Sequence, residues 1–415
     1  MILVDDAGGA FSAINHSPWF GVTVADFVMP FFLFIVGVSV SLVFKNVSSK
    51  LDATKKVLLR ALKLFLLGVG LQGGCFHGRG KLTYGVDIHK VRTMGVLQRI
   101  SIGYLLASLS EIWLVTSTPV ESLSMFLKKY YTQWISVFFL ILCYIVCLYG
   151  IYVPDWTFQI FDMTSKKPAL QSVKCGFRGS LEPPCNAVGY LDRLLLGKSH
   201  MYQRPVYIRS KECSVRSPDY GPLPPESPSW CLAPFDPEGI LSSFMAAATC
   251  LLGSQFGHVL IHYKSPTQRF QLWSFASFLL LLLGFFLQQL GIPSSKALYT
   301  ISYFAITTGV SGFLLVIIYY IVDIKNIEKP TKILQWMGMN ALLIYALAAC
   351  NIFFIALQGF YWGIPENNLV DGTEWLLQKI VHSERYGTLL FVVLEILFWG
   401  FVAGFLHWKR IFVKL

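Results

Sequence analysis

Runs of about twenty apolar residues recur along this chain, and they restrict its fold more than any other feature. A run of that length matches what a bilayer requires of an α-helix, which satisfies its backbone polar groups internally. Spans are predicted near residues 22–44, 57–73, 94–115, 132–153, 239–262, 271–290, 299–322, 334–358 and 387–408. The 57–73 run is short, with Arg60 and Lys63 expected to snorkel to the interface. Composition agrees: 54% of the 415 residues are hydrophobic and 14% charged, against about 25% charged in soluble domains. The predicted fold is an all-α integral membrane protein of nine to ten transmembrane helices with one long lumenal loop. Its parts are N-terminal membrane helices over 1–153, a loop over 154–238 and C-terminal membrane helices over 239–415. No internal repeat is evident, which argues against many transporter folds.

The net charge of +11 would suggest nucleic-acid binding in a soluble protein. Here the basic residues flank apolar runs, and none of their stretches is interleaved with exposed aromatics, so nucleic acid is excluded as a partner. One set of short loops and ends holds Lys45, Lys50, Lys55, Lys56, Lys128, Lys129, Lys264, Arg269, Lys325, Lys329, Lys332, Lys409, Arg410 and Lys414. The other holds Arg79, Lys81, Lys90, Arg92, Lys296, Lys379 and Arg385. The richer set is expected to be cytoplasmic, which places the C-terminus in the cytoplasm and residues 1–21 on the lumenal or exterior side. The opening Met-Ile-Leu-Val lacks the basic region and length of a signal peptide, and reads as the tail of a membrane helix whose beginning is missing.

Four cysteines, Cys175, Cys185, Cys213 and Cys231, fall in the long loop with a proline run around Pro222, Pro224, Pro225 and Pro228. On the non-cytoplasmic side they suggest two disulfides. Three pairings are open; sequence proximity favours Cys175–Cys185 and Cys213–Cys231. Cys143, Cys147, Cys250 and Cys350 sit in apolar runs and read as packing residues.

Ionisable side chains inside a bilayer cost several kcal/mol unless paired or hydrated, so each marks a candidate site. Asp26 and Arg99 each lie about a turn inside a span that starts on the lumenal side, and Glu238 opens the span after the loop. His16 and the pair Asp5–Asp6 precede the first span on that side. These groups are expected to converge on one lumenal site, with a neutral histidine among them able to act as a base; the simpler alternative is that Arg99 staples helices through Asp26 or Glu238. His258 and His262 stand at i, i+4 without an evident third ligand, so no metal is predicted and interfacial histidines are expected. Glu111 and Glu395 are intramembrane carboxylates with no partner assignable from sequence.

Several stretches carry a resemblance. His16-Ser-Pro-Trp-Phe-Gly-Val-Thr-Val-Ala-Asp26, Lys90-Val-Arg-Thr-Met-Gly-Val-Leu-Gln-Arg99, Gly189-Tyr-Leu-Asp-Arg-Leu-Leu-Leu-Gly197, Asp236-Pro-Glu-Gly-Ile240, Gly338-Met-Asn340 and the closing Lys409-Arg-Ile-Phe-Val-Lys run in this order along the chain. Together they resemble the lysosomal heparan-α-glucosaminide N-acetyltransferase family. The resemblance implies acetyl transfer from cytoplasmic acetyl-CoA to a lumenal amino sugar, with His16 catalytic as an acetyl carrier or as a base. It implies a lysosomal, vacuolar or other endomembrane location. Asp5 stands eleven residues before His16, where animal members carry asparagine, which brings the chain nearer to plant and bacterial members. An aspartate there could orient the imidazole and raise its basicity. Most of the family's first core helix is missing, so a truncated chain is expected.

The function expected is therefore a membrane-bound acetyltransferase with acetyl-CoA as co-substrate and a glycan or small amine as acceptor. His16 and Asp5 are its catalytic candidates, and Asp26, Arg99, Glu238 and Asn340 its supporting or acceptor-site candidates. Lys409 and Arg410 are candidates for the coenzyme A phosphates. Lipid is an expected partner, and a second copy of the chain a further candidate. The competing readings are a transporter of a small polar solute and an inactive, truncated family member.

Overall fold

The computed structural model describes residues 1–72, 75–76, 84–85, 89, 91–115, 120, 122–161, 168–349 and 352–413. Arg79, Lys81, Lys90, Lys414 and Cys350 lie outside the described residues. Helix accounts for 66% of the structure, with little strand. In chain order the helices are α1 (Ile2–Ala7), α2 (Val24–Val43), α3 (Lys50–Gln72), α4 (Val96–Leu114), α5 (Leu123–Lys129), α6 (Tyr131–Gly150), α7 (Ala187–Leu195), α8 (Ile240–His262), α9 (Pro266–Gln289) and α10 (Ile301–Tyr319). After them come α11 (Lys332–Met339), α12 (Ala341–Ile344), α13 (Ile352–Gln358), α14 (Leu369–Val381) and α15 (Glu384–Trp408).

Among the described residues, seven helical segments are long and apolar enough to cross a membrane: Val24–Val43, Tyr131–Gly150, Ile240–His262, Pro266–Gln289, Ile301–Ile324, Ala341–Gln358 and Glu384–Trp408. The expected 57–73 and 94–115 runs do form helices, α3 of 23 residues and α4 of 19. Their polarity keeps them outside this set. α3 carries Lys50, Asp52, Lys55, Lys56, Arg60 and Lys63, while α4 buries Gln98, Arg99, Ser101, Ser108, Ser110 and Glu111. The 334–358 run is likewise interrupted: α11 ends at Met339 with Asn340 as its cap, and α12 passes into a wider π-type turn over Tyr345–Ala349.

The chain divides into two compact units, one of Met1–His16, Thr23–Val28 and Ile317–Leu415, the other of Ser17–Val22 and Met29–Val316. In the first unit, Ile2 and Ala7 of α1 pack in a core with Ile344, Ala348, Val392, Trp399 and Ala403. α14 is capped by the Asn368 side chain, which accepts the Asp371 N–H at 2.9 Å, and it ends at His382 with a left-handed φ of 55°.

The second unit is built around α8, which is buried along almost its whole length. Glycines let α2 and α8 approach closely, the small-residue packing that membrane helices favour: a Cβ at Gly37 would overlap the Cys250 carbonyl, and one at Gly253 the Phe34 carbonyl. The long loop of this unit is folded. β3 (Tyr152–Val153) pairs with β6 (Phe177–Arg178), and β4 (Trp156–Phe161) pairs antiparallel with β5 (Pro168–Val173). A further short pair joins β1 (Cys75–Phe76) to β2 (Tyr84–Gly85). The two favoured disulfides are present, Cys175–Cys185 with a Cα separation of 5.6 Å and Cys213–Cys231 with 5.5 Å. α7 starts at Asn186, whose side chain accepts the Gly189 N–H at 2.7 Å.

Candidate active site

In the first unit, the segment between α1 and α2 turns back so that residues 15–16 meet the first turn of α2. The Ala25 N–H donates to the Ile14 carbonyl at 3.2 Å, and the Thr23 hydroxyl donates to the Asn15 carbonyl at 2.5 Å. The His16 N–H donates to the Asn15 side-chain carbonyl at 2.8 Å. These bonds bring His16 Nδ1 to 2.7 Å from Asp26 Oδ1. The other carboxylate oxygen, Asp26 Oδ2, accepts the Thr23 N–H at 3.0 Å. Asp26 is fully buried, whereas the His16 side chain keeps 28% of its surface exposed.

A carboxylate at Nδ1 selects the tautomer with the proton on Nδ1 and the lone pair on Nε2, the arrangement of a histidine base. The residue that takes this orienting place is Asp26, which the sequence suggested only as a supporting group. Asp5 lies on α1 and is exposed. Asn340 is buried in the same unit and binds the tail of the chain: it donates to the Ile411 carbonyl at 3.3 Å and accepts the Val413 N–H at 3.1 Å. Lys409 and Arg410 follow α15, with the Lys409 ammonium 4.5 Å from the Trp408 ring centre.

In the second unit, the charges around Arg92 form their own set of bonds. Arg92 donates from Nε to Asp236 Oδ2 at 2.8 Å, and from Nη2 to Asp236 Oδ1 at 2.6 Å and to Glu238 Oε2 at 2.5 Å. Its guanidinium also lies 4.9 Å from the Tyr202 ring centre. Burial works against its charge, yet Asp236 and Glu238 outweigh that cost and hold its pKa above the ordinary value. Burial would by itself raise Glu238, but Arg92, then Lys296 and Arg99, hold its carboxyl well below the usual range. Arg99 is fully buried and donates to the Pro237 carbonyl at 2.7 Å and to the Ser242 hydroxyl. The sequence offered, as an alternative to a common site, that Arg99 staples helices through Asp26 or Glu238; in the structure the cation bonded to Glu238 is Arg92, and Arg99 grips the backbone that leads into α8.

Asp192 of α7 completes this set. Its Oδ1 accepts the Ile240 N–H at 2.8 Å, capping α8 from outside that helix. The adjoining Gly239 is needed for the approach, since a Cβ there would overlap the Asp192 carboxylate. Burial pushes the Asp192 carboxyl up to about 7, against the opposing Ile240 bond. Arg92, Asp192 and Asp236 all stand in the stretches quoted above, but outside the apolar runs, where the cost of a charge in lipid does not single them out.

Among the described residues, no three His, Cys, Asp or Glu side chains form a metal-ligand group. No protein-family model matches the chain. Two curated proteins match it along its whole length. Heparan-alpha-glucosaminide N-acetyltransferase of Mus musculus is 28% identical over 437 aligned residues, and the Homo sapiens protein of the same name is 27% identical over 437. The alignment covers 100% of this chain and 58% of each relative, so the chain spans just over half of their length. Full-chain similarity of this extent relates the protein, at the level of the family, to heparan-alpha-glucosaminide N-acetyltransferase.

Proposed function

We propose that this chain is a transmembrane acetyltransferase that moves the acetyl group of acetyl-CoA to the amine of an amino sugar or another glycan. The observation that carries the reading is the His16–Asp26 pair, 2.7 Å apart, inside the first stretch that resembles the acetyltransferases. The face bearing the disulfide loop is then lumenal and the opposite face cytoplasmic, in an endomembrane such as that of a lysosome or vacuole. Donor and acceptor approach from opposite sides.

His16 Nε2 accepts a proton from the acceptor amine as its nitrogen forms a bond to the acetyl carbon. The carbon–sulfur bond breaks, the thiolate leaves as coenzyme A, and the imidazolium returns the proton to sulfur. Asp26 holds the Nδ1 proton in place and stabilises the imidazolium while it exists. Direct transfer and transfer through an Nε2-acetyl intermediate use the same lone pair. Incubation with labelled acetyl-CoA without acceptor separates them, since only the second leaves label on the protein. The donor phosphates need cations, and the sequence offers Lys409 and Arg410 for them.

The test is acetyl-CoA turnover by the purified chain with a glucosamine-terminated oligosaccharide. Activity lost in His16→Ala, with an unchanged size-exclusion profile, supports the reading; wild-type turnover in that variant overturns it.

A further inference from the structure

Acyl transfer builds negative charge on the acetyl oxygen as well as a proton on the base, and that oxygen needs a hydrogen-bond donor. The catalytic and supporting candidates of the first unit do not supply one. Asp5 and Asp26 are carboxylates, and the Nδ1 proton of His16 is spent on Asp26. The Asn340 amide is committed to Ile411 and Val413. A donor does stand next to the histidine in the same unit, the side-chain amide of Asn15.

Asn15 is held at every other polar atom. Its backbone N–H donates to the Phe11 carbonyl at 3.1 Å, and its backbone carbonyl accepts the Thr23 hydroxyl at 2.5 Å. Its Oδ1 accepts the His16 N–H at 2.8 Å. An N–H can donate only to the oxygen end of an amide, so this bond also fixes which end is nitrogen. Nδ2 keeps its protons and, among the described residues, has no acceptor for them. Asn15 and His16 are both only partly buried, so a substrate can reach the two together. A donor fixed before the reaction begins stabilises a developing charge without the cost of reorganising.

We propose, resting on the acetyl-transfer reading above, that Asn15 is a catalytic residue whose amide donates to the acetyl oxygen. As the acceptor nitrogen bonds to the acetyl carbon, the π pair of the carbonyl moves onto oxygen, and Asn15 Nδ2–H donates to that oxyanion. The pair re-forms the C=O bond as the carbon–sulfur bond breaks, and the proton held by His16 goes to sulfur. Asn15 itself exchanges no proton. The same nitrogen is the attachment atom of an Asn-His-Ser sequon, so a glycan there would occupy the donor.

Asn15→Asp separates the two roles of this side chain: its carboxylate still accepts the His16 N–H but has nothing to donate. Steady-state acetyl-CoA turnover is measured for wild type, Asn15→Asp, Asn15→Ala and His16→Ala, per folded molecule recovered from size exclusion. Rates are compared on the plateau of each pH profile, where the added charge no longer acts through the protonation of His16. In Asn15→Asp, kcat should fall about a hundred- to a thousandfold, with KM for acetyl-CoA and the melting temperature little changed. Asn15→Ala, which also loses the bond to His16, should be no more active and less stable. Wild-type kcat in Asn15→Asp overturns the assignment, since a purely structural role needs only the oxygen. If His16→Ala is inactive in that same experiment, the acetyltransferase reading survives, so the two failures are distinguishable. Peptide mapping should find Asn15 unmodified; a glycan on Asn15 of the active protein also overturns the proposal.

Discussion

His16 Nδ1 and Asp26 Oδ1 stand 2.7 Å apart, joined across the turn that leads into α2. The carboxylate is fully buried and the histidine side chain is 28% exposed, so Asp26 anchors the ring through Nδ1 from the buried side. Asp26→Asn preserves the shape but removes the charge that fixes the tautomer. We expect acetyl transfer to fall about a hundred- to ten-thousandfold in this variant and in His16→Ala. Initial rates of coenzyme A release, compared with size-exclusion profiles, check this.

Arg92→Ala should be the most destabilising single change among the charges of the second unit named above. It leaves Asp236 and Glu238 buried without their bonded cation, a loss of about 3–5 kcal/mol. Arg92→Lys keeps the charge but not the forked geometry, and should fall between the two. Thermal melts in detergent rank the three; equal melting temperatures for wild type and Arg92→Ala would refute the assignment.

Asp192 gives the second unit a pH dependence with a definite sign. Its folded-state carboxyl is raised to about 7, above the ordinary value of 3.8. The stability it contributes is complete below that ordinary value and is lost as pH rises through about 7. Glu238 is shifted the other way, so its contribution is complete above its ordinary value of 4.5 and declines only as pH falls below it. Between pH 7 and 4.5, acidification should therefore raise the melting temperature of wild type relative to Asp192→Asn, whose amide oxygen can still accept the Ile240 N–H. A constant difference between the two across that window counts against the assignment.

The two disulfides should open in order. Cys213 and Cys231 are both fully buried, whereas Cys175 is only partly so. A graded reductant should expose Cys175 and Cys185 to alkylation first, followed by mass-spectrometric peptide mapping. Removing either bridge should cost about 2–4 kcal/mol.

Asn46 opens an Asn-Val-Ser sequon. It lines a cavity with Lys129 and His262, at the end of the second unit remote from the disulfide loop, so on the proposed orientation it should carry no glycan. A glycopeptide containing Asn46 would reverse the topology and move the cavity to the lumenal side.

Most of the membrane helices were legible because a helix that must satisfy its own backbone in lipid needs a long apolar run. The disulfides were legible because each pair closes a short loop. The partners were not. Arg92 precedes α4 and reads as an ordinary flanking charge, and its acceptor Asp236 lies 144 positions away. Glu111 and His258 are 147 positions apart, so neither the carboxylate nor the i, i+4 histidine pair revealed the other. α4 shows the same limit from the other direction: its polar side chains are stabilised by neighbours that a reading of the run by itself does not supply. Asn340 stands out in sequence only as part of a motif, and its bonds to Ile411 and Val413 could not be read from that motif.

The Asp192 cap on α8 bears on how the protein is made. Its carboxylate precedes the amide it caps by 48 positions, so a ribosome synthesises the cap before the helix. When α8 begins to emerge, α7 and its aspartate have already been translated. The loop therefore carries the cap before the helix it caps exists. A chimera that exchanges the loop without Asp192 should accumulate at the stage of helix insertion, before any question of catalysis arises.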